Sequence, residues 1–135
     1  MENKTVFDTN IWISYFIKSK YKELEAMKEN DKVLFLRSIP STAELKEVLS
    51  RSKFKKYGIN VDFTILFYNE LTKFHRTKAL FKDCSDPKDN FLFDLAIQGN
   101  ADFLVSGDKK VLETPLKGKN IKLRTLTAFK AEIKN

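Results

Sequence analysis

The chain is poor in the residues that build disulfide-rich, zinc-binding and low-complexity proteins. It has one cysteine, one histidine, four glycines and three prolines among 135 residues. The single cysteine, Cys84, cannot form an internal disulfide or a cysteine-based zinc site, which fits a reducing cytoplasm. No apolar run approaches the roughly 20 residues that a membrane span needs, and the first residues lack a secretory pattern. We therefore expect a soluble, cytoplasmic protein that does not enter a membrane.

The composition predicts one compact domain over residues 1–135. Hydrophobic residues make up 42% of the chain and include 12 phenylalanines, which excludes a disordered protein. The length suits a single domain with a sizeable core, and no repeat or linker divides it. The formal net charge of +7 favours a polyanionic partner such as nucleic acid.

Short apolar runs alternate with longer stretches of helical period, a pattern typical of a parallel sheet covered by helices. Strands are predicted at residues 5–7, 33–36, 79–81, 103–105 and 121–124. Helices are predicted after the first strand, at 41–49, around 63–74, at 87–98, at 109–112 and at the C-terminal end. This order predicts an α/β fold with a central parallel sheet.

Apolar residues at helical spacing predict which helical faces lie in the core. The stripes are Ile13, Ile17, Tyr21 and Leu24 in the first predicted helix, then Phe63, Leu66, Phe67, Leu71 and Phe74 in the third, and Phe129 and Ile133 in the last. We interpret the aromatic stripe as core packing rather than a ligand site. The lone histidine, His75, is expected to be a solvated residue near a helix end.

Four acids lie at predicted junctions between strands and helices: Asp8, Glu44, Asp89 and Asp108. Because crossovers between parallel strands are right-handed, these junctions open at the carboxyl edge of the sheet, where ligands of such folds bind. Converging carboxylates are what hard cations such as Mg²⁺ require. The acids are therefore candidate metal ligands.

Helix capping is the alternative interpretation of each acid taken alone. Ser41 and Glu44 have the spacing of a capping box, and Asp86 precedes a proline as an N-cap residue does. Asp8 and Asp108 also stand where a helix begins. Capping does not explain why carboxylates follow several strands that meet in space. If the four acids do cluster, they would repel one another unless a cation is bound.

The segments FDTNIWIS, STAELKEVL and DPKDNFLFDLAIQGNADFLVSGDKKVL resemble the PIN domain family in order and approximate spacing. They closely resemble the single-domain VapC-type toxins of type II toxin-antitoxin pairs, and the tail IKLRTLTAFKAEI resembles the closing strand and helix of that family. The resemblance implies a three-layer α/β/α sandwich and a ribonuclease that uses one or two Mg²⁺ or Mn²⁺ ions. It also implies a small antitoxin partner and a homodimer.

Carried over residue by residue, the resemblance places the metal-binding and catalytic acids at Asp8, Glu44, Asp89 and Asp108. Asn10 and Ser106 match small polar positions that orient the acids. Asp86 and Asp94 are nearby competitors of Asp89, and we prefer Asp89 because it lies on the first helical turn, nearest the sheet edge. The expected contacts to the RNA backbone are Lys109, Lys110, Arg51 and Lys53, with Phe54 or Tyr57 stacking on a base.

Two other classes of function remain open at this point. The first is a catalytically weak PIN-like module that binds nucleic acid or a protein. The second is a phosphatase or other metal hydrolase on a doubly wound sheet, which a DxD motif would favour, but Asp8-Thr9-Asn10 lacks the second acid.

A chain with one histidine suits a metal-dependent hydrolase, because that chemistry needs no histidine as general base.

Overall fold

The computed structural model describes residues 2–134, which form five strands and seven helices. The strands are β1 Asn3–Phe7, β2 Val33–Arg37, β3 Lys73–Phe74, β4 Phe103–Val105 and β5 Lys122–Arg124. The helices are α1 Thr9–Ile17, α2 Tyr21–Asn30, α3 Ile39–Leu49, α4 Val61–Leu71, α5 Asn90–Gln98, α6 Lys109–Leu112 and α7 Leu126–Ile133. Short 3₁₀ helices at Ser52–Tyr57 and Pro87–Asp89 precede α4 and α5.

All neighbouring strands pair in parallel, in the order β3-β2-β1-β4-β5. From β1 the chain first builds the sheet outward through β2 and β3. It then returns to the other side of β1 and adds β4 and β5. The sheet has helices on both sides, which confirms the predicted PIN-like α/β/α sandwich. None of the helices within residues 2–134 is long and apolar enough to cross a membrane.

Two hydrophobic cores lie on opposite faces of the sheet because successive strand residues point to opposite sides. Phe7, Phe35 and Val105 belong to one core, which α1, α2, α3, α4 and α7 cover. Val6 and Leu104 belong to the other core, which α5 and α6 cover. The central strands are therefore buried on both faces, which explains the apolar runs in β2 and β4 and at the end of β1.

The single helix predicted after β1 is two helices, because the chain turns sharply between them. Ser19 has a φ of 53°, in the left-handed region that a continuing helix does not use. The N–H of Ser19 donates to the carbonyl of Phe16, and the N–H of Lys20 donates to that of Tyr15. The apolar stripe runs on across this break, so its periodicity alone does not reveal the turn.

The third strand lies at Lys73–Phe74, so the strand predicted at 79–81 is wrong. The amides of Leu80 and Phe81 donate to Oδ1 of Asp94 at 3.0 and 2.8 Å, which anchors this segment to α5. Those donors are consequently not available for pairing with a strand.

His75 does not end a helix, contrary to the prediction. It follows β3, and its N–H donates to the carbonyl of Arg37 at 2.9 Å, which continues the pairing of β3 with β2. The side chain is half-buried rather than fully solvated.

The aromatic stripe predicted as core in α4 is only partly buried. The face of α4 that enters the core carries Thr64, Tyr68 and Leu71. Phe63 is 63% exposed and Leu66 is 57% exposed. The helix is rotated away from the predicted orientation, and the Tyr68 hydroxyl lies inward, 3.1 Å from Ser41 Oγ. This rotation leaves an apolar strip on the outer face of α4. At the other end of the chain, Phe129 is buried and Ile133 is half-buried, as predicted.

Replacing Gly99 by alanine should destabilise the fold. An added Cβ would lie 2.7 Å from the carbonyl oxygen of Leu95 and 2.9 Å from Cδ1 of Leu36. We expect Gly99→Ala to lower the free energy of unfolding by about 1–3 kcal/mol, as overpacking does. Urea denaturation measures this, with Gly107→Ala as the control, because a Cβ at Gly107 meets no atom within 4 Å. Equal stability of the two variants would contradict the packing described here.

Candidate active site

Three of the predicted acids, Asp8, Asp89 and Asp108, affect one another's charge where the sheet changes its direction of growth. β1 and β4 are neighbours, with Phe7 paired to Val105, and the chain leaves β1 on one side and returns on the other. In parallel sheets such a switch point leaves a crevice at the carboxyl ends of the strands, and ligands bind there. Asp8 follows β1 and Asp108 lies just beyond β4.

Asp8 is held rigidly by its backbone and does not cap α1 with its side chain. Its N–H donates to the carbonyl of Val105 at 2.9 Å, and its own carbonyl accepts from Ile11 and Trp12 at the start of α1. The carboxylate makes no capping hydrogen bond, although the residue occupies the N-cap position. Asp8 is only 6% exposed. Capping therefore does not explain a buried carboxylate at this position.

Ser106 links the first acid to the last. Its hydroxyl donates to Oδ2 of Asp8 at 2.6 Å and accepts the N–H of Asp108 at 3.0 Å. Ser106 is fully buried, and its N–H donates to the carbonyl of Arg124 in β5. Asn10 differs from Ser106 because it is exposed and acts on Asp8 through its backbone N–H.

Burial raises the pKa of the Asp8 carboxyl above its ordinary value. The hydrogen bond from Ser106 and the N–H of Asn10 oppose this rise, and the charge of Asp108 adds to it. Because the pKa is raised, the ionised form of this carboxylate destabilises the folded state. A bound cation would remove that cost.

Asp89 lies at the start of α5, and its pKa is raised to about 6. Burial is the largest cause, followed by the charges of Asp8, Asp86 and Asp108, while Lys88 lowers the pKa. Asp89 makes no side-chain capping bond to α5. Lys88 directly precedes Asp89 in the sequence, and it is not among the residues predicted for the site.

Asp108 caps α6, so the capping interpretation is correct for this acid. Its Oδ1 accepts the N–H of Lys110 at 2.9 Å. It still lies close enough to Asp8 and Asp89 for its charge to raise the pKa of both carboxyls. Asp108 thus has a structural role and an electrostatic role at the same time.

Glu44 is not among the charges that raise the pKa of Asp8 and Asp89. The capping box of α3 is formed by Ser38 and Ser41, so the predicted box between Ser41 and Glu44 is wrong. Glu44 is half-buried within α3, and it does not contribute to the raised pKa of Asp8 or Asp89. Its charge, after that of Glu47, helps to raise the pKa of Arg51.

Asp86 and Asp94 have other contacts. Asp86 accepts the N–H of Lys88 at 3.3 Å and caps the 3₁₀ helix, as predicted, while its charge acts on Asp89. Asp94 is buried and accepts hydrogen bonds from the segment before α5 and from Gln98. Asp94 therefore fixes a loop rather than facing the other acids.

The donor set of the site fits a hard divalent cation. Asp8, Asp89 and Asp108 offer only carboxylate oxygens, and none of them forms a salt bridge within residues 2–134. In the same range, no three acidic side chains converge closely enough to form a complete metal-binding group. The charges of Asp8 and Asp108 nevertheless raise the pKa of Asp89, so the three aspartates fit a cation that keeps several waters.

The predicted substrate-binding cations differ in whether another side chain of the protein already contacts them. Lys109 and Lys110 are exposed on α6, directly after Asp108. Arg51 instead forms a two-pronged pair with Glu47, with Nη2 and Oε2 2.8 Å apart. Lys53 Nζ lies 5.1 Å from the ring centroid of Phe54.

Comparison with known proteins agrees with this architecture. The sequence model of the PIN domain family matches residues 4–110, so the chain belongs to this family. Members of this family are generally nucleases that use divalent metal ions. No curated protein sequence matches the chain. The chain is similar to one in the crystal structure of VapBC2 from Rickettsia felis bound to a DNA fragment from their promoter. The two share 19% identity with a TM-score of 0.59, over 90% of this chain and 98% of the other.

Neutralising Asp89 should stabilise the metal-free protein at neutral pH. The pKa of Asp89 rises from 3.8 to about 6 on folding, so its ionised form costs stability above pH 6 and costs nothing below pH 3.8. With a discount for solvent screening at this partly exposed group, we expect Asp89→Asn to gain about 1 kcal/mol at pH 7.5.

Denaturation in EDTA at pH 7.5 and at about pH 4 measures the effect, which should vanish at the lower pH. Asp83→Asn is the matched control, because Asp83 is an exposed acid that does not contribute to the raised pKa of Asp89. An equal gain from both variants would show that the benefit is not specific to the site.

Proposed function

We propose that the protein is a metal-dependent ribonuclease. The observation that carries this proposal is the group of Asp8, Asp89 and Asp108 at the switch point of the sheet, where burial and mutual repulsion raise the pKa of Asp8 and Asp89. No basic side chain within residues 2–134 forms a salt bridge with these acids. Such carboxylates are costly to the fold unless a cation binds, and perturbed carboxyls in a crevice are typical of functional sites.

The residues that would hold one or two Mg²⁺ or Mn²⁺ ions are the same three aspartates. Ser106 fixes the Asp8 carboxylate with its hydrogen bond to Oδ2, so that this ligand loses little freedom on binding. Asp89 would give up its proton on binding, so metal affinity should weaken as the pH falls below its pKa of about 6. When bound, the cation supplies an activated water and stabilises charge on the scissile phosphate.

Glu44 is assigned a separate role in this proposal. It lies on α3 away from the mutual influence of the aspartates, which favours a contact through water over direct ligation. In that position its carboxylate would orient the attacking water. Asn10, exposed beside Asp8, would contact substrate or an outer water rather than the acid itself.

RNA is the substrate class that the charge and the family support. The net charge of +7 attracts a polyanion although the site itself is acidic. Lys109 and Lys110 lie nearest to Asp108 and would contact phosphates on either side of the scissile bond. Lys53 would make a more distant contact, and Arg51 would have to leave Glu47 to do so. RNA in place of DNA follows from the resemblance to VapC-type toxins.

The same resemblance supports a role as the toxin of a type II toxin-antitoxin pair in the cytoplasm. A small antitoxin would bind this chain and cover the acidic crevice. The exposed strip formed by Phe63 and Leu66 on α4 supports a protein contact, because apolar surface of this kind is costly in water. We assign that strip to protein association, either with the antitoxin or in a homodimer.

A catalytically weak binding module is the second candidate function. Two observations favour it: the acids do not converge into a complete metal-binding group within residues 2–134, and Glu44 does not affect the pKa of Asp8 or Asp89. A phosphatase is less well supported, because residue 10 is Asn10 where a DxD motif would have a second acid.

Cleavage of RNA should require both the metal and Asp8. We expect a fluorogenic single-stranded RNA to be cut in the presence of Mn²⁺ and to stay intact in EDTA. Asp8→Asn should abolish cleavage while the protein stays folded, because the buried position still accepts the Ser106 hydrogen bond through the amide oxygen.

Asp62→Asn is the matched control, since it removes one exposed acid from α4 and should cleave at the rate of the unchanged protein. Cleavage by Asp8→Asn at the rate of the unchanged protein would contradict the ribonuclease proposal. Tight RNA binding without any metal-dependent cleavage by the natural sequence would favour the binding module.

Expression of the chain alone should slow cell growth if it is a toxin. We expect growth to recover on co-expression with the product of the adjacent reading frame, and the two proteins to purify together. The variant Asp8→Asn should lose the growth effect but still bind that product. A neighbour that neither binds nor restores growth would refute the pairing, while leaving the nuclease activity to the cleavage assay.

A further inference from the structure

A groove leads away from the acids along the side of the molecule that carries α5 and α6. It consists of two hollows of about 330 and 360 Å³ that share Asp83 and Pro115 in their walls. The first hollow is bounded by Ser85 and Lys110, so it begins beside the Asp86 and Asp108 region. The second lies between the loop before α5 and the loop after α6.

The groove is lined by cations that are free of acidic partners. Lys109 and Lys110 line the first hollow, and Lys117 and Lys119 line the second. All four are exposed, and none forms a salt bridge within residues 2–134. Asp83 and Glu113 are the acids in the same walls, so lysines outnumber acids by four to two.

The second hollow has an apolar wall with an aromatic ring. Phe81, Ile97 and Leu116 line it, and each is half-buried. The ring of Phe81 is stacked on that of Phe93, with centroids 4.6 Å apart and an angle of 16° between the planes. Because Phe93 is itself buried, the Phe81 ring is supported from behind. The hollow lies within the range of roughly 300–1,000 Å³ typical of sites for small molecules.

Charge distinguishes this groove from another hollow on the molecule. The hollow between α2 and α4 also has apolar walls, but its charged residues are Glu25, Glu29 and Glu70 with the single cation Lys28. That surface would repel a polyanion. The groove beside α6 would attract one, and it combines free cations with a supported aromatic ring, as single-strand binding surfaces do.

We propose that this groove holds the single-stranded RNA that extends from the candidate active site, with phosphates against Lys109, Lys110, Lys117 and Lys119. One base occupies the apolar hollow beside Phe81. This inference rests on the proposed ribonuclease function, and it adds a substrate path that ends well outside the acidic centre. The complementarity of charge is what selects RNA as the occupant rather than a protein segment.

The test compares a groove variant with a control of identical charge change. Lys117→Glu with Lys119→Glu reverses two groove charges, and Lys22→Glu with Lys28→Glu reverses two exposed charges on α2. Each variant cleaves RNA substrates of about 4 and about 16 nucleotides, which span the range of known single-strand site sizes. Affinity for the longer RNA, blocked from cleavage by EDTA, is measured by fluorescence anisotropy at several salt concentrations.

We expect the groove variant to lose about tenfold in kcat/KM on the longer RNA and to cleave the shorter one normally. Its slope of log affinity against log salt should fall by about 1.4, the value for two lost phosphate contacts on a single strand. The α2 control should change neither the preference for length nor the salt slope.

The failure of this proposal is distinguishable from failure of the proposed function. A natural sequence that cleaves RNA, together with a groove variant that keeps the preference for length and the salt slope, would overturn the groove and leave the ribonuclease intact. A natural sequence that cleaves nothing would overturn the ribonuclease, and the anisotropy measurement would still decide whether RNA occupies the groove. A groove variant that loses binding to a protein partner but not to RNA would also overturn the proposal.

Discussion

The buried carboxylate of Asp8 is the feature on which the rest of the site depends. Removing an ionised group from water is costly, and among residues 2–134 Asp8 receives one side-chain hydrogen bond, from Ser106 at 2.6 Å. The pairing of β1 with β4 holds it in place, since the backbone N–H of Asp8 bonds to Val105. The fold therefore imposes the position of the charge instead of relaxing around it, as in a preorganised site.

The long apolar elements could be predicted from the sequence because local patterning and burial agree there. β4 and most of β2 are apolar runs buried on both faces, and β1 ends in the buried pair Val6 and Phe7. The helix through Leu92, Phe93 and Leu95 and the last helix around Phe129 were predictable for a similar reason. Their apolar periodicity is long enough to define both the helix and its buried face.

The errors arose where tertiary contacts overrule local pattern. β3 has only two residues, Lys73 and Phe74, and no period of alternation can be read from two residues. The segment 79–81 has apolar residues like a strand, but Asp94, distant in sequence, takes its amides. In α4, both Phe63 and Tyr68 fit a helical stripe, and the side that faces inward is the one where Tyr68 contacts Ser41 and Trp12.

For the acids, too, some features follow from the local sequence pattern and others depend on the folded structure. Their junction positions follow from strand and helix order, which the sequence supplies. Whether each carboxylate caps its helix depends on where the helix begins to within one residue, and boundaries are the least certain part of a sequence-based prediction. Ser38, not Ser41, begins the capping of α3, and this shift removes the capping explanation for Glu44.

Asp108 connects the acidic centre to the basic surface beside it. Its Oδ1 holds the N–H of Lys110 and thereby starts α6, while its charge raises the pKa of Asp8 and Asp89. A helix of four residues has little stability of its own, so this cap contributes much of what positions Lys109 and Lys110. The same carboxylate thus sets the repulsion that favours a cation and the orientation of the first lysines that a phosphate would meet. The two roles share one side chain, but the cap depends on its oxygen and the repulsion depends on its charge.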